Sequence, residues 1–538
     1  MTWNFADLWE AIAEAIPDAP AQRQGTRLVT WGEMDARADG VARAMLEAGV
    51  GEQGKVAQYL FNCPEYLESV FAAYKAGLVP VNTNYRYGGD ELVYLWDNAD
   101  AEAVVFHGAF TETIDEIRKA LPGVRAWLWV DDGTGPRPDW ALDYAEAAAA
   151  GPGRTLAPWG RSPEQLMLLY TGGTTGRPKG VMWRQGDLFE AYNASSARPF
   201  DPERGLASVA EVITGPGPVH LPASPLMHAT GAFTSFMAMD QGGCIVTLEQ
   251  RRFDVDELLH TVERERVNTM AIVGDAFAKP IVARLEEKPD RWDLSSLRGI
   301  TSSGVMWSQA TKRALLEHNP DMVLMDGFSS SEALGMGASV ATKDNIDDTA
   351  RFQLSENARV IDDAGRDVEP GSGQIGRLAV TGLQPIGYYK DEAKTAETFV
   401  ELDGKIYSVP GDYATVEADG TLTLLGRGSV CINTGGEKVY PEEVEEALKT
   451  HPAVRDAVVV GVPDERFGET VTAVIEPEGE VDEGEVVAHV RARLAAYKAP
   501  RRLLTVTSIA RSPSGKVDYR RLRTAAERES VPVASTGG

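Results

Sequence analysis

Between about residue 30 and residue 170, apolar and polar positions switch repeatedly between helical and strand-like spacing. Apolar residues recur at helical intervals over Asp35 to Ala48, Tyr66 to Ala76 and Gly89 to Asp100. Between them, compact apolar runs at Lys55 to Phe61, Val79 to Asn82, Ala103 to Phe106 and Gln165 to Leu169 read as strands. Such alternation predicts a parallel sheet covered by helices. A second set follows, with a strand over Gly243 to Leu248, a helix over Val255 to Arg266 and a strand over Asn268 to Val273. From about residue 355 the helical spacing fades. Short apolar runs such as Gly376 to Thr381 and Thr421 to Leu425 alternate with Gly, Asp and Pro turns, which predicts a small antiparallel β unit. From Val439 the pattern is mixed, with a helix at Glu442 to Thr450, a strand at Val454 to Val462 and a helix at Gly484 to Ala496; Val531 to Gly538 reads as a frayed end.

At 538 residues the chain is too long for one core and divides into two or more domains. A net charge of -27 argues against nucleic acid or an anionic membrane as the main partner, and means that a polyphosphate ligand needs a local cationic site. Cys63, Cys244 and Cys431 are few, dispersed and odd in number, so a reducing, cytoplasmic setting is expected rather than a disulfide framework. The first ten residues carry acids and lack the basic flank and apolar core of a signal peptide. The charge-free stretch from Val212 to Met239 is long enough to span a bilayer, but prolines and His228 interrupt it; it reads as buried loop and strand, and no membrane span is expected.

The most chemical segment is Tyr170-Thr171-Gly172-Gly173-Thr174-Thr175-Gly176-Arg177-Pro178-Lys179-Gly180, directly after an apolar strand. Glycines let backbone N–H groups turn around a polyanion, and hydroxyls and cations add donors. This is not a Walker A loop, because Pro178 precedes the lysine and Gly180 follows it. Pro178 also disfavours helix at Arg177, so Lys179 is not expected in the first turn of a helix. Gly371-Ser372-Gly373-Gln374-Ile375-Gly376 matches the dinucleotide fingerprint by letter only. It follows Glu369 and Pro370 and leads into a strand, so it reads as a turn.

The loop opens a series of motifs in fixed order that together resemble the adenylate-forming superfamily, which includes acyl-CoA synthetases, nonribosomal peptide adenylation domains and beetle luciferases. The resemblance runs from roughly Asp7 to Arg523. Pro225-Leu226-Met227-His228-Ala229-Thr230-Gly231 is similar to the motif whose His helps position the substrate carboxylate. Thr301 to Trp307 is loosely similar to a strand end that lines the acyl and adenine pockets, which implies pocket roles for Ser303, Gly304 and Val305, with Met227 and Met336 beside them. Asp326 to Glu332 resembles the signature whose aromatic stacks on adenine, whose hydroxyl contacts phosphate and whose Glu holds Mg²⁺; here these would be Phe328, Ser331 and Glu332. Tyr407 to Asp412 and Gly426-Arg427 resemble the ribose-binding motifs, giving Asp412 and Arg427 that role. Ser429 stands where the family has a hinge Asp or Lys. Thr434 to Pro441, with Gly436 and Lys438, is similar to the loop that builds the pantetheine tunnel. Ser512 to Lys516 matches the motif of the adenylation lysine.

The resemblance implies an α/β fold. Residues 1–426 would form a large ATP- and acyl-binding domain of helix-covered parallel sheets plus the small β unit, and 427–538 a small mobile α+β domain carrying Lys516. It further implies an acid–thiol ligase using ATP, Mg²⁺ and CoA. The phosphate loop over Thr171, Gly172, Gly173, Thr174, Thr175 and Gly176, with Lys179, Glu332 and Lys516, would stabilise attack of a carboxylate on the α-phosphate; CoA thiolate would then displace AMP. Met227, Phe233, Phe236, Met239, Met306, Trp307 and Met336 lie in or beside pocket motifs and point to a large hydrophobic acid, in keeping with a resemblance to actinobacterial fatty-acid and steroid side-chain CoA synthetases. A carrier-protein thiol as acceptor, a non-catalytic nucleotide-binding relative, and the oligomeric state, homodimer included, stay open at this point.

Overall fold

Alternate residues of the predicted strands face two different apolar cores. Val56, Ala103, Val105, Met167 and Leu169 belong to one, while Ala57, Val104, Phe106, Leu168 and Tyr170 belong to the other. A sheet buried on both faces needs near-continuous apolar strands, which is why these segments read as unbroken runs. The structure, a computed structural model, describes residues 3–149, 151, 153–171, 177–304, 307–346, 351–427, 432–434, 437–464, 468–494, 496–511 and 517–530. They fall into two units, the first on Met1–Gly172, Pro178–Thr349 and Thr381–Val400, the second on Ala350–Val380 and Glu401–Gly538.

In the first unit one sheet runs Gly387–Tyr388, Lys179–Arg184, Leu166–Thr171, Val79–Asn82, Lys55–Tyr59, Ala101–His107, Ala126–Val130 and Leu142–Asp143. Its strands are parallel from Leu166–Thr171 outward, and the Lys179 and Gly387 strands add two antiparallel members at one edge. A second run places Val219–Pro222 between Cys244–Thr247 and Thr269–Ile272, all parallel, and continues through Gly299–Ser303 to Val323–Ser330. Ala333–Ala341 turns back antiparallel on the last of these. Helices cover the sheets, and their starts are set locally. Thr30 and Glu33 close a capping box on Trp31–Glu47, Pro64 opens Pro64–Lys75, and Asp254 caps Val255–Glu265.

The Val212 to Met239 stretch differs from the buried loop and strand expected. Val219–Pro222 is a strand, but Ala229–Met239 is a helix. Its residues are buried on several sides, among them Ala232, Phe233, Phe236, Ala238 and Met239, so no polar face marks a helical period. Gly231 allows its first turn to close, since a Cβ there would stand 2.4 Å from the Pro225 carbonyl oxygen. No helix among the described residues is long and apolar enough to cross a membrane.

The second unit begins with the expected antiparallel β unit, in the order Arg351–Leu354, Leu422–Arg427, Asp412–Val416, Gly376–Val380 and Lys405–Ser408, with Ala358–Ile361 paired to Gly376–Val380. The Gly371 to Gly376 segment is a turn leading into a strand. Further along, the long hairpin Val454–Asp464 and Gly468–Pro477 carries Ile432–Thr434, Glu437–Val439 and a parallel strand Arg502–Thr505. Helices Pro441–Lys449, Glu483–Arg491 and Tyr519–Ser530 accompany this mixed sheet, with Val444, Leu448, Val486 and Val490 in its core.

Candidate active site

In an α/β sheet, ligands collect beyond the carboxyl ends of the parallel strands, because loops and helix N-termini open there. Several of the first unit's predicted site residues obey this rule. Thr171 ends Leu166–Thr171, His228 follows Val219–Pro222, Ser303 ends Gly299–Ser303, and Ser331 and Glu332 follow Val323–Ser330.

The Thr/Gly segment joins two antiparallel strands, with Thr171 paired to Lys179 and Tyr170 to Gly180. Lys179 therefore begins a strand and is not in the first turn of a helix, in keeping with the expectation from Pro178. The missing side chain of Gly180 accommodates the Tyr170 ring, since a Cβ would come within 2.7 Å of it. Lys179 forms an ion pair with Asp391, whose carboxylate also caps Glu392–Thr398 through the Lys394 N–H at 2.9 Å. The Lys179 hydrogen bond, aided by that cap, holds the Asp391 carboxyl below the usual carboxylate range. The lysine is 39% and Asp391 29% exposed, so the pair is worth at most about 1 kcal/mol and is readily exchanged.

The same short segment reaches Glu332. Tyr388 pairs with Val181, and its phenol donates to Glu332 Oε1 at 2.8 Å. Backbone bonds from Tyr389 N to Gly180 O (2.8 Å) and Ile386 N to Met182 O (2.9 Å) fix the segment beside the Lys179 strand. Trp183 Nε1 donates to the Ser331 carbonyl at 3.0 Å, tying the strand to the Ser331–Glu332 turn. Glu332 is buried, and its Oε2 accepts no hydrogen bond among the described residues. A lone carboxylate of this kind suits a hard cation whose other ligands are phosphate oxygens and water.

Two asparagines hold the His228 segment. Buried Asn82 donates from Nδ2 to the Tyr170 carbonyl at 2.9 Å and to the Met227 carbonyl at 2.7 Å, while its Oδ1 accepts from Tyr170 N at 2.6 Å. Asn62 donates to the Pro222 and Ser224 carbonyls and accepts from Leu226 N at 2.8 Å. His228 is half-buried and forms the N-cap of Ala229–Met239. The Thr171 strand and the His228 turn are thus one hydrogen-bonded structure. Neither asparagine stood out in the sequence; the available signal was a polar residue closing an otherwise apolar strand.

Phe328 is half-buried opposite Gly337, Ser303 pairs with Gly327, and Gly304 is exposed with φ of 91°. Asp326, beneath them, pairs with buried Lys312 at 3.1 Å, and burial pushes its carboxyl up to about 6 against the pull of that lysine. Met336 is fully buried, Met227, Phe233, Phe236 and Met239 share one core, and Trp307 lies in another. In the second unit Asp412 and Arg427 stand directly opposite across a ladder, where a bulge leaves Gly426 at φ of 103°. Gly172, Gly173, Thr174, Thr175, Gly176, Val305, Met306, Ser429, Gly436, Lys516 and Val531 to Gly538 lie outside the described residues, as do the side chains of Arg427 and Lys438.

Comparison with known proteins agrees with these motifs. The family model described as AMP-binding enzyme matches residues 9–389, and that of the AMP-binding enzyme C-terminal domain matches residues 443–516. The chain is 40% identical over 533 residues to the medium/long-chain-fatty-acid–CoA/3-oxocholest-4-en-26-oate–CoA ligase of Mycolicibacterium smegmatis, covering 97% of this chain and 96% of that one. It is 40% identical over 538 residues to the 3-oxocholest-4-en-26-oate–CoA ligase of Rhodococcus rhodochrous, covering 97% and 95%. Among solved structures, the anthranilate CoA ligase AuaEII with anthranoyl-AMP superposes with a TM-score of 0.83 at 23% identity, over 98% of each chain. ATP-bound MatB from Rhodopseudomonas palustris gives 0.78 at 25%, over 98% and 99%. The chain belongs to the AMP-binding, adenylate-forming enzyme family.

Proposed function

We infer that this chain is an AMP-forming acid–thiol ligase that converts hydrophobic carboxylic acids, long-chain fatty acids or steroid side-chain acids, to acyl-CoA. The observation that carries the reading is full-length likeness, at 40% identity, to ligases named for both classes of acid.

The chemistry follows from the residue types. A carboxylate is already an oxyanion at neutral pH, so its attack on the α-phosphate needs no general base. The obstacle is repulsion between anions and the charge left on pyrophosphate. Lys179 and the Thr171 to Gly176 loop supply donors to the phosphates, and Lys179 leaves its half-exposed pair with Asp391 at small cost. Glu332 would hold Mg²⁺, which supplies charge neutralisation on the phosphates, and Tyr388 orients that carboxylate. His228 positions the acid, Phe328 and Ser331 face adenine and phosphate, and Asp412 with Arg427 take the ribose. Ser303, Gly304, Val305, Met227 and Met336 bound the acyl site in this reading. The domain from 427 onward rotates between half-reactions, withdrawing Lys516 and presenting Gly436 and Lys438 to CoA. A cytoplasmic setting supplies ATP and CoA.

The test is a screen for CoA-thioester mass and AMP release over a panel from short acids to sterol side-chain acids. Thioesters of long-chain and steroid acids are expected. Acyl transfer to a carrier protein but not to CoA would move the chain to another acceptor, and absence of carboxylate-dependent pyrophosphate release would remove it from catalysis.

A further inference from the structure

The helix that His228 caps ends at Asp240, where some polar atoms find no partner among the described residues. A cavity of about 180 Å³ opens between this helix and Gln185–Ser195, lined by Phe189, Tyr192, Phe200, Met237, Asp240 and Gln241 among others. Phe189 and Phe200 stack with centroids 6.2 Å apart, so one wall is aromatic. Asp240 Oδ1 accepts from Trp9 Nε1 at 2.8 Å, but Asp240 Oδ2, Tyr192 Oη and neighbouring Tyr74 Oη have no hydrogen-bond partner among the described residues. Asp240 is 4% and Tyr192 6% exposed. Unpaired buried groups of this kind carry a desolvation cost that a ligand oxygen would offset.

We propose that this cavity is the far end of the acyl site, and that Asp240 and Tyr192 donate hydrogen bonds there to the ring ketone of a steroid acid whose carboxylate lies at His228. The proposal rests on the acid–thiol ligase reading above. Asp240 terminates the helix that begins at His228, about 18 Å away along the axis at 1.5 Å per residue, a span of the order of a sterol's reach from side-chain carboxylate to ring ketone. The aromatic wall suits a rigid polycycle, whereas a fatty acid brings no oxygen to this end. Burial pushes the Asp240 carboxyl up to about 8, so at neutral pH it carries the proton needed to donate.

Calorimetric binding and steady-state kinetics with a 3-oxo steroid side-chain acid, its 3-deoxy analogue and hexadecanoate test this. In the wild-type enzyme the 3-oxo acid should bind about tenfold tighter than the 3-deoxy acid. Asp240→Leu should abolish that preference while leaving the KM for hexadecanoate within about twofold, and Asp240→Asn, which keeps a donor, should retain it. Equal wild-type affinity for the two steroid acids, or a parallel loss for all three ligands in Asp240→Leu, overturns the proposal. The wild-type comparison needs no variant to fold. If no thioester forms from any of the acids, the ligase reading fails by itself, and the calorimetric preference still decides the subsite.

Discussion

The phenol of Tyr388 donates to Glu332 Oε1 at 2.8 Å, and three residues later Asp391 takes Lys179. One short segment, between an edge strand and a helix cap, therefore holds both the candidate metal carboxylate and the candidate phosphate lysine.

Tyr388→Phe should leave the fold intact, because the ring keeps its packing against Phe399. Losing a hydrogen bond to a carboxylate should raise the half-saturating Mg²⁺ concentration by about tenfold, with the KM for the acid unchanged. A Mg²⁺ titration of pyrophosphate release reads this directly. An unchanged curve would reduce Tyr388 to a packing residue.

Asn82→Ala removes three buried hydrogen bonds at once and strands the Tyr170 and Met227 carbonyls. Unfolding stability should fall by about 3 kcal/mol, measured by denaturant titration. The same change frees the His228 turn from the phosphate-loop strand, so kcat for pyrophosphate release in the folded fraction should drop more than about tenfold. Lost stability with full kcat would mean that the His228 turn keeps its place without Asn82.

These positioning residues explain how far the sequence can be read. The strand Val79–Asn82 has the bounds expected from its pattern, and Lys179 stands in a strand rather than in the first turn of a helix, as expected from the bias that Pro178 puts on Arg177. Local rules of period and turn chemistry suffice for such features. Asn82 and Met227 are 145 residues apart, Tyr388 and Glu332 56, and Lys179 and Asp391 212, so no local rule joins them. The helix Ala229–Met239 escaped for a different reason: buried on several faces, it has no amphipathic period to detect.

Lys516 belongs to the adenylation half-reaction in the proposed mechanism. Lys516→Ala should depress acyl-AMP formation by about a hundredfold or more, as expected for loss of a transition-state cation. Conversion of supplied acyl-AMP to acyl-CoA should stay within about twofold, since that step uses the other domain position. Rapid-quench assays of the two half-reactions separate these outcomes, and equal loss in both would refute the assignment.

Asp240 offers a prediction in pH. Its folded carboxyl is raised to about 8 by burial, whereas in the unfolded chain it titrates near the ordinary 3.8. Between those values the folded state holds a proton that the unfolded state has released, so stability must fall as pH rises. The slope from this one group is about 1.4 kcal/mol per pH unit, starting near the unfolded value and ending once pH passes the folded one. Asp240→Asn keeps an acceptor for Trp9 and has no proton to lose. The variant should therefore gain on the wild type steadily from about pH 5 to about pH 8, and then hold a constant margin. Denaturant midpoints for both proteins across that range measure the difference directly. A margin independent of pH would mean that Asp240 is ionised in the fold, and would take away the donor on which recognition of a ring ketone depends.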